Sequence, residues 1–328
     1  MIRSASHCGS CTRWPSVARI QAWPRVCSDL VSAPSVLAVG DLHVENFGTW
    51  RDAEGRLIWG INDFDETWRF PYTNDLVRLA ASANLAINTT HLSLHAKTAA
   101  EAILEGYRDA LKAGGRPFVL AENHLELRKM AVARLHDPGT FWRKLEAVRT
   151  WRGRPPKSVL AALSSLMPEK NLPCRIVHRI AGLGSLGRER FVALADWRGG
   201  KVAREAKALA LSAAAWAQKA KGADSLYQDV LDRSIRCLDP FVRMRGKWIL
   251  RRLAPDCSRI ELADLPKERD EALLLYCMGW ETANVHLGSA KARSLLSDLK
   301  NRPSAWLHDA AASMVKAVMQ DWEDWRRS

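Results

Sequence analysis

The sequence predicts an α+β protein of two lobes, in which a helical lobe is interrupted by a β-rich segment and completed by helices near the C-terminal end. Three observations carry this expectation. Apolar residues recur at helical spacing through most of 72–151 and again after 267, whereas between about 175 and 253 the period falls to two, with glycine-containing turns separating short alternating runs. Between these regimes Arg152–Lys157, with Gly153 and two prolines, breaks the helical pattern. The expected division is an irregular arm over 1–30, a part of the helical lobe over 31–170, an antiparallel β lobe over 171–255 and the completing helices over 256–328.

Taken in order, the arm has weak periodicity with a short helix expected around Ser16–Trp23. Ser35–Val39 is apolar and short enough for a buried strand. Phe47–Trp50 and Arg56–Ile61 alternate and are joined by Asp52-Ala53-Glu54-Gly55, which predicts a hairpin. Thr73 or Asn74 is the expected cap of a helix to about Ile87, with Leu76, Leu79, Ala80 and Ala83 on one face. Helices are expected at about Leu92–Ala113, Ala121–Leu135 and Thr140–Trp151. Strands follow at Arg175–Ile180, Arg190–Ala195 and Lys201–Glu205, then an Ala-rich helix over Ala206–Ala220. A hairpin of Pro240–Met244 and Trp248–Leu253 turns at Arg245-Gly246-Lys247. Pro255 ends it, and helices at about Lys267–Leu287 and Ala305–Arg327 complete the pattern.

The 328 residues carry 49 Lys and Arg against 36 Asp and Glu, a formal charge of +13. Residues 1–95 hold 8 basic and 9 acidic side chains, so the excess lies beyond them. A basic face attracts nucleic acid, phosphates or acidic proteins alike, and no zinc-finger, basic-zipper or RNA-binding signature accompanies it. Seven scattered cysteines, an odd number, argue against a disulfide framework and for a reducing compartment; Cys8 and Cys11 form an isolated C-x-x-C without a second pair. No stretch approaches the roughly 20 apolar residues of a membrane span, and the expected location is cytoplasmic. The 14 tryptophans are expected to serve core packing.

The chemistry concentrates in "VGDLHVENFG", residues 39–48, and "NDFDE", residues 62–66. Phosphoryl transfer with Mg²⁺ asks for an Asp near the acceptor hydroxyl, an amide oxygen on one metal and a carboxylate on the metals at the nucleotide phosphates. Asp41, Asn46 five positions later, and Asp63 after a hairpin supply these in the order that kinases use. Gly182, Gly184 and Gly187 form G-x-G-x-x-G between two expected strands, with a third following. That is the setting of a phosphate-covering loop, whereas a dinucleotide fold would place the motif before a helix. The glycine motif follows the catalytic-type loop by about 140 residues, the reverse of the ordinary order. A circular permutation reconciles the two and predicts a two-lobed protein-kinase-like fold with the catalytic loop before the glycine-rich lobe. The helix containing "GWETANVHLGSA" would then be the one that leads into the catalytic loop.

With "GDLHVENFG", "INDFDET", "NDLVRLAASA", "GLGSLG" and "REAK" in place, the chain resembles the bacterial domain-of-unknown-function family 2252, grouped with kinase-like, aminoglycoside-phosphotransferase-like proteins, from about residue 30 to 328. The resemblance implies Asp41 as catalytic base with His43 ordering the loop, Asn46 and Asp63 as metal ligands with Asp65 as the competing ligand, and Asp75 as a structural acceptor that pins the loop. It implies ATP and Mg²⁺, with an unknown acceptor. Relatives carry Lys-Glu-Ala near the third strand of the glycine lobe, where this chain has Arg204-Glu205-Ala206-Lys207, so either Arg204 or Lys207 would meet the phosphates. The arm "SHCGSCTRWPSVARIQ" lacks the aromatic, basic segment expected before the catalytic strand.

Each signal has a plainer counterpart. The acidic loops could be structural polar clusters, the glycines ordinary turn chemistry, His43 and Glu45 orienting groups, and His286 a satisfied core histidine. Arg251 and Arg252 could hold phosphate, pair with the acidic loops or face solvent. Two other functions remain open: a non-catalytic nucleotide-binding module, and a metallophosphoesterase, since "GDLH" also resembles the Asp-x-His of two-metal sites. The latter needs further ligands, for which "ENHLE" at 122–126 is the one candidate.

Overall fold

The computed structural model describes residues 25–89, 92–133, 135–179, 189–209, 211–217, 226–257 and 269–327. The expected helix at Ser16–Trp23 and the glycines at 182, 184 and 187 lie outside them. The described residues are mixed α and β, with 48% helix and 19% strand among them. Among the described residues no helix is long and apolar enough to cross a membrane.

Strand β1 (Ser35–Ala38) is buried from Val36 onward and pairs antiparallel with β4 (Trp68–Pro71), placing Ala38 opposite Trp68. Between them β2 (Phe47–Arg51) and β3 (Leu57–Ile61) form the expected hairpin. Its turn is organised by Asp52, whose Oδ1 accepts from the N–H groups of Glu54 at 3.1 Å and Arg56 at 2.9 Å, while Gly55 takes φ +74°. β5 (Phe118–Val119) adds a third strand beside β3.

Helix α1 (Tyr72–Asn88) follows β4 directly. Pro71 stands at its cap and makes no side-chain cap bond, which corrects the expectation for Thr73 and Asn74. Thr73 instead donates to the Leu30 carbonyl at 3.0 Å. Helix α2 (Ala96–Ala113) starts four residues later than the pattern predicts. The helix expected over Ala121–Leu135 is divided into Leu120–Asn123 and α3 (Leu125–Val132), because His124 takes φ −141° and packs its ring 4.4 Å from that of Phe118. Helix α4 (Pro138–Glu146) stops short of the expected Trp151. There the chain joins the β lobe, with Thr150 bridging to Val177 and the Trp151 N–H donating to the Ile176 carbonyl. Helix α5 (Lys157–Ser164) starts at the last residue of the expected break.

The β lobe is an antiparallel sheet of β6 (Arg175–His178), β7 (Arg190–Trp197), β8 (Gly200–Ala208), β9 (Arg243–Arg245) and β10 (Trp248–Leu253), in the order β6-β7-β8-β10-β9. Strand β8 runs through Ala206 and Ala208, residues assigned to a helix by their propensity. Tertiary packing overrides that preference: Ala193 and Ala206 lie with Phe191, Trp248 and Leu250 against Val159, Ala162 and Leu163 of α5. Of the expected Ala206–Ala220 helix, only Ala213–Ala217 is helical among the described residues. The opposite face carries Val177, Val192, Leu194 and Ala203, covered by Leu145.

Helix α6 (Tyr227–Arg233) leads to β9. Helices α7 (Arg269–His286), α8 (Ala292–Lys300) and α9 (Trp306–Arg327) complete the chain, α8 being an element the pattern did not predict. The largest apolar cluster joins β1, α1, α2 and α7–α9. Helices α2 and α7 cross closely because a methyl group at Gly106 would overlap the Tyr276 carbonyl, and one at Gly279 the Ile103 carbonyl.

Candidate functional site

The first acidic loop leaves β1 through Gly40, at φ +82°. A side chain there would overlap the Glu66 carbonyl, so glycine lets the two acidic loops touch. The loop then closes a 3₁₀ turn, Val44–Asn46, capped from both ends. The Glu45 N–H donates to His43 Nδ1 at 3.3 Å, and the His43 N–H donates to Asn46 Oδ1 at 2.9 Å. His43 and Asn46 are both buried. The β2–β3 register, Phe47 opposite Ile61, sets Asn46 beside Asn62, whose N–H donates to the Asn46 carbonyl at 3.0 Å. Asp63 is the next residue, so the hairpin brings the backbones of the two acidic loops together at Asn46 and Asn62.

Helix α1 fixes this loop from beneath. Asp75, fully buried, accepts from the N–H groups of Val39 at 2.6 Å and Gly40 at 3.0 Å. His286 Nε2 lies 3.1 Å from the same carboxylate, and its Nδ1 is 2.9 Å from the Tyr107 hydroxyl. Arg78, one turn after Asp75, forms an ion pair with Asp41, while Ser82 accepts from the Val44 N–H at 3.1 Å. Asp75, Arg78 and Ser82 stand at i, i+3 and i+7, a polar stripe on one helix face aimed at the loop. Arg78 and Ser82 were missed in the sequence reading; the polar spacing inside an otherwise apolar helix was the available signal.

The second loop meets the β lobe. Asp63 Oδ1 accepts from the Asp65 N–H at 3.3 Å. Lys207 of β8 is ion-paired with Asp65, and its Nζ lies 3.8 Å from Asp63 Oδ1. Glu66 accepts from the Ala213 N–H at 2.6 Å. Arg204 goes elsewhere. Alternation along β8 puts it on the face opposite Lys207, where its guanidinium donates to the Leu166 carbonyl at 2.9 Å and lies 4.4 Å from the Phe241 ring. The structure therefore brings Lys207, and not Arg204, to the acidic loops.

On the Lys207 face, Glu205 is fully buried among Arg179, Arg190 and Arg251. Burial opposes its ionisation, but the three guanidiniums outweigh it and hold the carboxyl down at about 2. Arg252, on the opposite face, lies 3.6 Å from Asp256 and 5.1 Å from the Phe241 ring. Glu205 and its arginines were not grouped by the sequence reading, because strand alternation was not carried through "REAK".

Among the described residues no three His, Cys, Asp or Glu side chains stand together in an arrangement that could hold a metal ion. His124 of "ENHLE" packs its ring 4.4 Å from that of Phe118. Asn46 and Asp63 suit a different kind of site. Mg²⁺ typically takes one or two protein oxygens and completes its shell with water and substrate phosphate. The five described cysteines, Cys27, Cys174, Cys237, Cys257 and Cys277, are free thiols.

No curated protein and no solved structure matches the chain. Residues 22–172, a little under half of the chain, match the model of domain-of-unknown-function family 2252, described as an uncharacterized protein conserved in bacteria. The part that carries both acidic loops and α1 is thus similar to that family, while the β lobe and C-terminal helices lie beyond the match.

Proposed function

We propose that the chain is a Mg-ATP-dependent phosphotransferase of kinase-like, circularly permuted architecture, acting on an acceptor still to be found. The observation that carries this reading is the pairing of Lys207 with Asp65 and Asp63. It brings a cation from the strand two after the glycine motif onto the acidic loop, across 142 residues of sequence. A second observation supports the permuted order. The Leu37 N–H of β1 donates to Ser289 Oγ at 2.7 Å, and His286 reaches Asp75, so the end of α7 abuts the strand that enters the catalytic-type loop.

In this reading Asp41 takes the acceptor proton and Arg78 fixes its carboxylate. Asn46 and Asp63 are the metal ligands, and Lys207 exchanges Asp65 for a nucleotide phosphate. Mg²⁺, when bound, neutralises charge on the phosphates. His43 acts through the loop, as the cap that sets Asn46 in place. The ion pair of Asp41 with Arg78 also favours a second reading, a nucleotide-binding module without turnover, because it engages the carboxylate that would serve as base.

A thermal-shift titration with ATP, with and without Mg²⁺, tests the binding half. A Mg-dependent rise in wild type that vanishes in Asp63→Ala supports the site, and no rise with any nucleotide sinks it. Turnover then separates the two readings. Asp41→Asn should retain Mg-ATP binding while losing roughly 10²–10⁴ of any ATP consumption; if the wild type binds Mg-ATP without consuming it, the binding-module reading takes over.

A further inference from the structure

We infer that Arg179, Arg190 and Arg251, gathered on the buried Glu205, form a polyphosphate-binding site, so that this chain grips the nucleotide's phosphates with guanidiniums as well as with Lys207. The inference rests on the nucleotide reading above and adds to it the chemistry that holds the ligand.

The sheet register assembles the group. Arg190 pairs with Lys207 across β7 and β8, and Arg251 pairs with Glu205 across β8 and β10, so alternation sends all four side chains to one face. Arg179 follows β6 directly, and its N–H donates to the Arg190 carbonyl at 3.1 Å. Arg179 and Arg190 thus stand on either side of residues 180–188, which carry the glycine motif.

Charge is out of balance here. Glu205 lies 3.2 Å from Arg179 Nη1 and 3.6 Å from Arg190 Nη1 and is ion-paired with Arg251, so one carboxylate faces three guanidiniums. Arg190 is the least comfortable member. Its side chain is 8% exposed, its Nε has no hydrogen-bond partner among the described residues, and burial pulls its pKa down. An arriving anion relieves that state, since a buried donor without an acceptor carries a standing desolvation cost. Asp63 is a second carboxylate that acts electrostatically on Arg190 and Arg251, and the group of three guanidiniums remains in cationic excess.

The excess selects the ligand class. Glu205 already supplies one carboxylate to all three guanidiniums and leaves N–H donors over, such as Arg190 Nε; a chain of phosphates offers oxygens to several of them at once, and guanidinium matches phosphate through paired N–H donors. Arg179 and Arg251 keep about a third of their side-chain surface open, enough for a ligand to reach them while Glu205 holds their orientation.

Isothermal titration of inorganic tripolyphosphate without metal, and of ATP with Mg²⁺, tests this on the full chain, with circular dichroism to check folding. Wild type should bind tripolyphosphate without metal. Arg179→Gln and Arg251→Gln should each weaken it by about tenfold, the scale of one lost charge-assisted hydrogen bond. Arg251→Lys, which keeps the charge on Glu205 but loses the paired donors, should fall between, and Asp63→Ala should leave tripolyphosphate binding intact. Mg-ATP binding that needs Asp63 but is unchanged in both Gln variants would overturn the arginine site and leave the nucleotide reading standing. Arginine-dependent tripolyphosphate binding with no response to Mg-ATP would remove the nucleotide and leave an anion site.

Discussion

His286 Nε2 stands 3.1 Å from the Asp75 carboxylate across 211 residues of chain, and the same carboxylate accepts the N–H groups of Val39 and Gly40. The pairing therefore ties the last turn of α7 to the first residues of the loop that carries Asp41. Replacing Asp75 with Asn would turn an amide N–H₂ toward donors that now meet carboxylate oxygens. A buried N–H left without its acceptor typically costs ~1–3 kcal/mol. Asp75→Asn should therefore lower unfolding stability by about 1–3 kcal/mol in a urea titration, and an unchanged midpoint would show that the loop is held by other contacts.

The loop architecture was legible because its signals are local. A period of two, a turn with Asp and Gly at fixed places and a Gly before the acidic cluster each act over a few residues, and the hairpin came out within one residue of its expected ends. What was not legible depends on partners far along the chain. Nothing near Lys207 or Arg204 says which face of β8 meets the acidic loops until the strand's neighbours are known. The Ala-rich run after Glu205 reads as helix by propensity and becomes strand because α5 needs small residues beneath it. Arg78 looks like a stray charge on an apolar helix until the loop it holds is placed above it.

Gly279 gives the same lesson in energetic form. In isolation a glycine inside a helix is a defect of about 1 kcal/mol relative to alanine, so Gly279→Ala would be expected to stabilise α7. The crossing with α2 reverses the sign, since the new methyl would overlap the Ile103 carbonyl. Overpacking of this kind costs ~1–3 kcal/mol, occasionally more. Thermal unfolding of Gly279→Ala should show a lower midpoint, and a higher one would mean that the helices separate at no cost.

Two buried carboxylates should give the protein opposite pH responses at the two ends of the acid range. Glu205 is held down at about 2 despite burial, by Arg251, Arg190 and Arg179 in that order. Its charge therefore stabilises the fold above the ordinary carboxylate pKa, and that contribution fades as pH falls from about 4.5 toward 2. Glu281 is pushed up to about 7 by burial, while accepting from the Ile61 N–H at 3.3 Å and from Asn284 Nδ2 at 2.8 Å. The folded state favours its protonated form, so stability falls as pH rises from about 4.5 to 7. Each shift corresponds to a change on the order of 3 kcal/mol across its window. Unfolding free energies measured from pH 3 to 8 should lose the upper slope in Glu281→Gln and the lower slope in Glu205→Gln. Retention of the upper slope in Glu281→Gln would assign it to another group.

Lys207 and Arg204 stand three residues apart on one strand yet should fail in different ways. Lys207 faces Asp63 and Asp65, where the proposed phosphates would enter, and removing its ammonium leaves those carboxylates to repel a nucleotide. Arg204 is buried on the other face, donates to the Leu166 and Ala203 carbonyls and stacks on Phe241. Burial pulls its pKa down to about 10, so it remains a cation at neutral pH, held by carbonyls and an aromatic ring. Lys207→Gln should thus weaken Mg-ATP binding by about tenfold or more with a modest change in stability, since a charge-assisted contact to phosphate is lost. Arg204→Gln should cost about 1–3 kcal/mol of stability through unmet carbonyls and lost packing, with affinity kept in the folded fraction. Titrating Mg-ATP into both variants alongside their urea midpoints separates the two outcomes. If Arg204→Gln were the one to lose nucleotide while keeping its stability, the phosphates would have to approach the opposite face of the sheet.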